Sequence, residues 1–101
     1  GILEIPYLIR KYVKKYDGFI ALGCVIKGET PHFDYISKTT FQNIMYLSLT
    51  FNKPITNGII TALNKKQAIV RSSLNDKTKI NKGAEAAAAL VDILNSSSYN
   101  G

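Results

Sequence analysis

The chain has one cysteine, one histidine, one methionine, three prolines and no tryptophan. A single cysteine excludes an internal disulfide and a zinc site built from cysteines. Cys24 stands among strand-forming residues, where a small thiol is expected to pack as core. A nucleophilic role would need a basic partner and partial exposure. Such sparing cysteine use fits a reducing, cytoplasmic compartment. One histidine, His32, with no carboxylate pair nearby makes a poor metal site, so none is expected. No apolar run reaches the length of a membrane span. An acid at Glu4 and an early Pro6 do not suit a signal peptide.

Acidic residues are scarce as well. Seven Asp and Glu face 13 Lys and Arg, for a net charge of +6. That balance raises the idea of a basic nucleotide- or RNA-binding module, but the cations are dispersed. Arg10, Lys11, Lys14 and Lys15 line one expected helix, Lys65 and Lys66 open another, and Lys77, Lys79 and Lys82 crowd one loop. Solvated faces explain the first two groups, whereas the third can meet an anion. A length of 101 residues fits one domain, 1–101, with a modest core.

Residues 5–16 place Ile5, Leu8, Ile9, Tyr12, Val13 and Tyr16 at helical spacing, with Pro6 in the first turn and Asp17-Gly18 at the end. "FIALGCVI", 19–26, is a nearly continuous apolar run, the pattern of a strand covered on both faces. Helical period returns over 34–52, with Phe41, Met45 and Leu49 on one stripe and Ile44, Leu47 and Phe51 beside it. "PITNGIITAL", 54–63, reads as a second buried strand, followed by a short helix from Lys65 to about Ser73. The polar stretch 74–81 ends at Asn81, a candidate cap for an alanine-rich helix over 82–95. Residues 96–101 are expected to fray. The order α, β, α, β, α, α implies parallel strands joined by crossover helices. Two strands cannot bury both of their faces, so further strands are expected upstream of Gly1 or from a neighbouring subunit.

Ligands in open parallel sheets bind beyond the carboxyl ends of strands. Residues 27–33, "KGETPHF", follow the first strand at that edge. Gly28 allows close backbone approach, Thr30 adds a hydroxyl, and His32 can move protons near neutral pH. A helix start behind them offers free N–H groups to an anion. These residues equally fit a plain turn in which Thr30 caps the helix and His32 faces solvent; on the residues alone both versions stand. Arg71, at a helix end, suits the C-terminal dipole or a phosphate. Lys82 sits in a first turn, where a cation is mildly unfavourable, and a residue that breaks a local rule invites a functional role.

"GILEIP", "ALGCVIKGETPHFDYIS", "KPITNGIITALNKKQAIVR" and "NKGAEAA" together resemble lumazine synthase, in order and over nearly the whole chain. The resemblance implies a flavodoxin-like three-layer α/β/α fold whose parallel sheet normally has four strands, here incomplete at its N-terminal side. It implies condensation of 5-amino-6-(D-ribitylamino)uracil with 3,4-dihydroxy-2-butanone 4-phosphate, a step of riboflavin synthesis, without metal or organic cofactor. The family's proton-transferring histidine falls on His32. Its phosphate contacts fall on Glu29, Thr30, Arg71 and Lys82, and its pyrimidine and ribityl contacts on Ile2, Leu3, Glu4, Cys24, Val25, Ile26 and Asn57.

The chain departs from the family at Leu3, often aromatic, at Asn57, often Phe, and at Lys27, often Arg. The resemblance further implies a homopentamer with each site between neighbours, the Asn57 and Arg71 side coming from the adjacent copy. It also implies association with riboflavin synthase as an expected protein partner. The glycine-free link "SSLNDKTKI" favours a pentamer or a pair of pentamers over a sixty-subunit shell. A non-catalytic assembly relative is the alternative from another class, and the joint presence of His32, Arg71 and Lys82 argues against it.

Overall fold

The computed structural model describes residues 1–28, 32–73 and 81–100. A 3₁₀ turn, Ile2–Glu4, leads into α1, Ile5–Tyr12, with Pro6 in its first turn where no N–H is needed. The helix ends before the expected residue 16. Lys15 N–H reaches the Tyr12 carbonyl at 2.9 Å, and this tighter bond closes the helical ladder. Strand β1 is Phe19–Ile26 and β2 is Ile55–Ala62. They pair in parallel, from Phe19 opposite Ile55 to Ile26 opposite Ala62, so both carboxyl ends share one edge. These are the two strands of the sheet among the described residues.

Helix α2, His32–Phe51, crosses between them. Asn52 ends it with φ 52°, a left-handed conformation that Asn tolerates better than most residues. Lys53 N–H returns to the Ser48 carbonyl at 3.2 Å, the six-to-one bond of a Schellman cap. Helix α3, Lys65–Ser72, is capped by Asn64, whose Oδ1 accepts from Gln67 N–H at 2.9 Å. Helix α4 is Lys82–Asn100 and extends beyond the expected bound at residue 95.

The pleat divides the helices into two layers. Ala21 and Ile59 face Ile2, Ile9 of α1, and Ile44 and Leu47 of α2, forming the main buried cluster. Of the two apolar stripes on α2, the sheet takes Ile44 and Leu47, while Met45 and Leu49 stay exposed. On the opposite face Ile60 and Ala62 pack with Ala68 of α3. Helix α4 sits on the same face, where Thr56 Oγ1 donates to the Ala86 carbonyl at 2.7 Å within a buried contact.

Among the described residues β1 is covered on one face only, short of the expectation of cover on both. Its alternate residues Ile20, Leu22, Cys24 and Ile26 are exposed, Leu22 at 59%. Cys24 is therefore an exposed thiol rather than a core one. The reason is topological: α4 is centred on β2, and β1 has a strand on one edge only among the described residues. No helix of these residues is long and apolar enough to cross a membrane.

Gly58 lets α4 approach. A Cβ there would stand 2.6 Å from Leu22 Cδ2, 3.2 Å from the Ala21 carbonyl and 3.3 Å from Ala86 Cβ. The exposed Leu22 side chain can yield, but the neighbouring strand and the helix have little room. Gly58→Ala is expected to cost about 1–3 kcal/mol by overpacking, seen as a lower urea midpoint at unchanged slope. An unaltered midpoint would mean that α4 shifts freely.

Candidate functional site

A cleft of about 260 Å³ lies along β2, lined by Asn57, Ile59, Ile60 and Thr61 from the strand, Phe41 from α2, Arg71 from α3 and Lys82 from α4. Its strand residues come from both faces of β2, so the cleft opens at the edge of β2 opposite β1. Two cations line it and, among the described residues, no carboxylate does. Arg71, near the end of α3, donates from Nη1 to the Thr61 carbonyl at 2.6 Å. That bond spends one of the five guanidinium N–H donors and leaves the others for a ligand.

Lys82 is the first residue of α4 and is half-buried. A cation there adds to the positive end of the helix dipole instead of offsetting it, and both act in the same sense on an anion. Asn57 is exposed, and its Oδ1 accepts from Ile59 N–H at 2.8 Å. The side chain is thus braced against its own strand while its amide nitrogen stays available as a donor. Phe41 supplies the one aromatic ring of the cleft.

The other expected site residues that the structure describes do not line this cleft. Ile2 is 7% exposed and sits over Gly23, whose Cβ position would lie 2.8 Å from Ile2 Cγ2. Leu3 and Glu4 complete the same 3₁₀ turn and are exposed. Cys24 and Ile26 are exposed and Val25 is half-buried at the carboxyl-terminal part of β1. The side chains of Cys24 and Ile26 therefore leave the opposite face of the sheet from that of Val25. Lys27 N–H bonds the Ala62 carbonyl at 2.8 Å, carrying the strand pairing one residue further. His32 begins α2 and is exposed. Glu29 and Thr30, expected at the phosphate, lie outside the described residues, as do Lys77 and Lys79.

Two groups result. Residues 24–26 end β1, residues 2–4 form the 3₁₀ turn whose Ile2 sits over Gly23, and His32 begins α2, whereas Asn57, Arg71 and Lys82 line one cleft, whose lining includes none of the first group. Phe41 and Thr61 escape sequence reasoning as cleft residues. Phe41 belongs to an apolar stripe and Thr61 to a strand, and only the approach of α2 and α3 to β2 brings them together. Among the described residues no three His, Cys, Asp or Glu side chains converge as a metal site.

Comparison with known proteins gives the family. The model of the 6,7-dimethyl-8-ribityllumazine synthase family matches residues 1–98. The chain is 39% identical over 92 residues to the 6,7-dimethyl-8-ribityllumazine synthase of Corynebacterium efficiens, covering 91% of this chain and 57% of that protein. It is 42% identical over 89 residues to that of Mycolicibacterium vanbaalenii, covering 88% and 56%. With that of Helicobacter hepaticus the identity is 41% over 98 residues, covering 94% and 60%. The chain thus spans little more than half the length of these curated relatives. A family match that runs through both strands, all four helices and both groups of site residues leaves one conclusion: the chain belongs to the 6,7-dimethyl-8-ribityllumazine synthase family.

Proposed function

We propose that this chain forms part of a cytoplasmic lumazine synthase that condenses 5-amino-6-(D-ribitylamino)uracil with 3,4-dihydroxy-2-butanone 4-phosphate. The amine of the uracil attacks the ketone and forms an imine with loss of water. Phosphate leaves by elimination, and ring closure follows with loss of a second water. Each step moves protons, which is the work assigned to His32. Most of the acceleration comes from holding two substrates together.

The observation that carries the proposal is the meeting of Arg71 and Lys82 on one cleft that no carboxylate of the described residues lines, in a chain of this family. The cleft has the charge and donors for a phosphate monoester. Glu29 and Thr30, by the family pattern, add contacts to the same phosphate. Ile2, Leu3, Glu4, Cys24, Val25 and Ile26 receive the uracil and its ribityl chain, and Asn57 reaches it from the cleft side.

The working unit is a homopentamer or a pair of them, on the flavodoxin-like four-stranded fold, with further strands completing the sheet beside β1. Separation of the two groups within one chain supports a site shared between copies. The exposed apolar residues of α2 and of β1, Met45, Leu49, Ile20 and Leu22, support burial against more protein than this chain supplies. Riboflavin synthase, which acts on the product, is the expected partner. The full-length protein mixed with both substrates should produce lumazine absorbance well above the uncatalysed rate. No acceleration would overturn the proposal.

A further inference from the structure

We infer that Asn81 is a positioning residue that holds Arg71 and Lys82 in register on the phosphate-binding cleft, an inference that rests on the proposed function above. Asn81 immediately precedes α4 and makes three bonds. Its carbonyl accepts from Glu85 N–H at 3.0 Å, its Oδ1 accepts from Ala84 N–H at 2.9 Å, and its Nδ2 donates to the Ser72 carbonyl at 2.8 Å. The first two bonds are those of an ordinary helix cap, which Ser, Thr or Asp could also provide. The third joins the start of α4 to the end of α3, where carbonyls lack helical partners.

A hydroxyl also donates and accepts, but from a single oxygen, whereas the amide puts its acceptor and its donor on separate atoms, so Asn holds Ala84 N–H through Oδ1 while Nδ2 reaches the Ser72 carbonyl. The position of this bond is what links it to the cleft. Ser72 follows Arg71 and Asn81 precedes Lys82, so one hydrogen bond ties the backbones carrying the two cations and bypasses residues 73–80 between them. Two like charges on one cleft repel when no anion is present. Arg71 is held on its other side by the Thr61 carbonyl, 2.6 Å away. With both restraints in place the cations cannot relax apart, and the phosphate meets a preformed pair.

The test uses the full-length protein and steady-state kinetics with each substrate varied in turn. Asn81→Ser keeps a neutral cap for α4 and removes Nδ2, the atom that reaches the Ser72 carbonyl, leaving one shorter hydroxyl already engaged at the cap. It is expected to raise KM for the butanone phosphate about tenfold. KM for the aminouracil and kcat should change less than about twofold. Asn81→Thr, also a capping residue, carries the same expectation and serves if the serine variant folds poorly.

Coupling separates positioning from general weakening. In an Arg71→Ala background the Asn81→Ser effect should shrink to less than about twofold. An unchanged phosphate KM in both Asn81 variants, or an equal effect with and without Arg71, would reduce Asn81 to a helix cap and overturn the inference. If Arg71→Ala alone left the phosphate KM unchanged, the proposed phosphate site would fall first, and this inference with it.

Discussion

Arg71→Ala is expected to raise KM for 3,4-dihydroxy-2-butanone 4-phosphate about ten- to a hundredfold, since a hydrogen bond to a charged group contributes about 1.5–3 kcal/mol. The guanidinium lies at a strand edge, braced by Thr61, beside the half-buried Lys82. Removing it takes away charge and a forked donor together. Arg71→Lys should recover part of the loss, because an ammonium keeps the charge without the fork. The aminouracil KM should barely move. Inorganic phosphate offers a second readout: it should raise the thermal midpoint of the wild-type protein and do so far less in Arg71→Ala. Equal phosphate-substrate affinity in wild type and variant would remove Arg71 from the site.

His32→Ala is expected to lower kcat about a hundredfold with both KM values within about threefold, the pattern for loss of a proton-transfer group that binds little. Because His32 opens α2 and is exposed, alanine there preserves the helix and leaves the core intact. Unchanged turnover would assign His32 to the solvent-facing first turn instead. Mixing this variant with Arg71→Ala distinguishes two arrangements of the site. If neighbouring copies supply the two groups, co-assembly of the two weakened variants restores some sites with both residues intact, and activity returns. If each chain supplies its own complete site, mixing yields only the average of the two.

Much of this architecture is legible in the sequence because it depends on near neighbours along the chain. The periods of α2 and α4, the apolar runs of β1 and β2, and Asn81 as a cap all report local geometry, and the structure bears them out within a few residues. The boundaries slip where local cues compete. Helix α1 tightens at Tyr12 and Lys15 although the apolar spacing continues to Tyr16. Helix α4 runs through the Ser-rich end at which propensity falls.

The candidate site divides in the same way. Arg71 and Lys82 stand out in the sequence as cations with local roles at helix ends, but nothing in their spacing says that they share a cleft. Phe41 and Asn57 are likewise an aromatic on a helical stripe and an amide inside a strand until α2 and β2 come together. Sequence by itself determined the order of helices and strands and which residue types were fit for phosphate and proton chemistry, since these follow from side-chain identity and short-range periodicity; the family entered through the resemblance of whole segments. Tertiary structure alone decided that one face of β1 is open and Cys24 exposed, that Arg71 and Lys82 meet at the edge of β2, and that Asn81 joins the two helix ends behind them. Those outcomes depend on which edges and faces pack together, and contacts between distant segments leave no periodic signal along the chain.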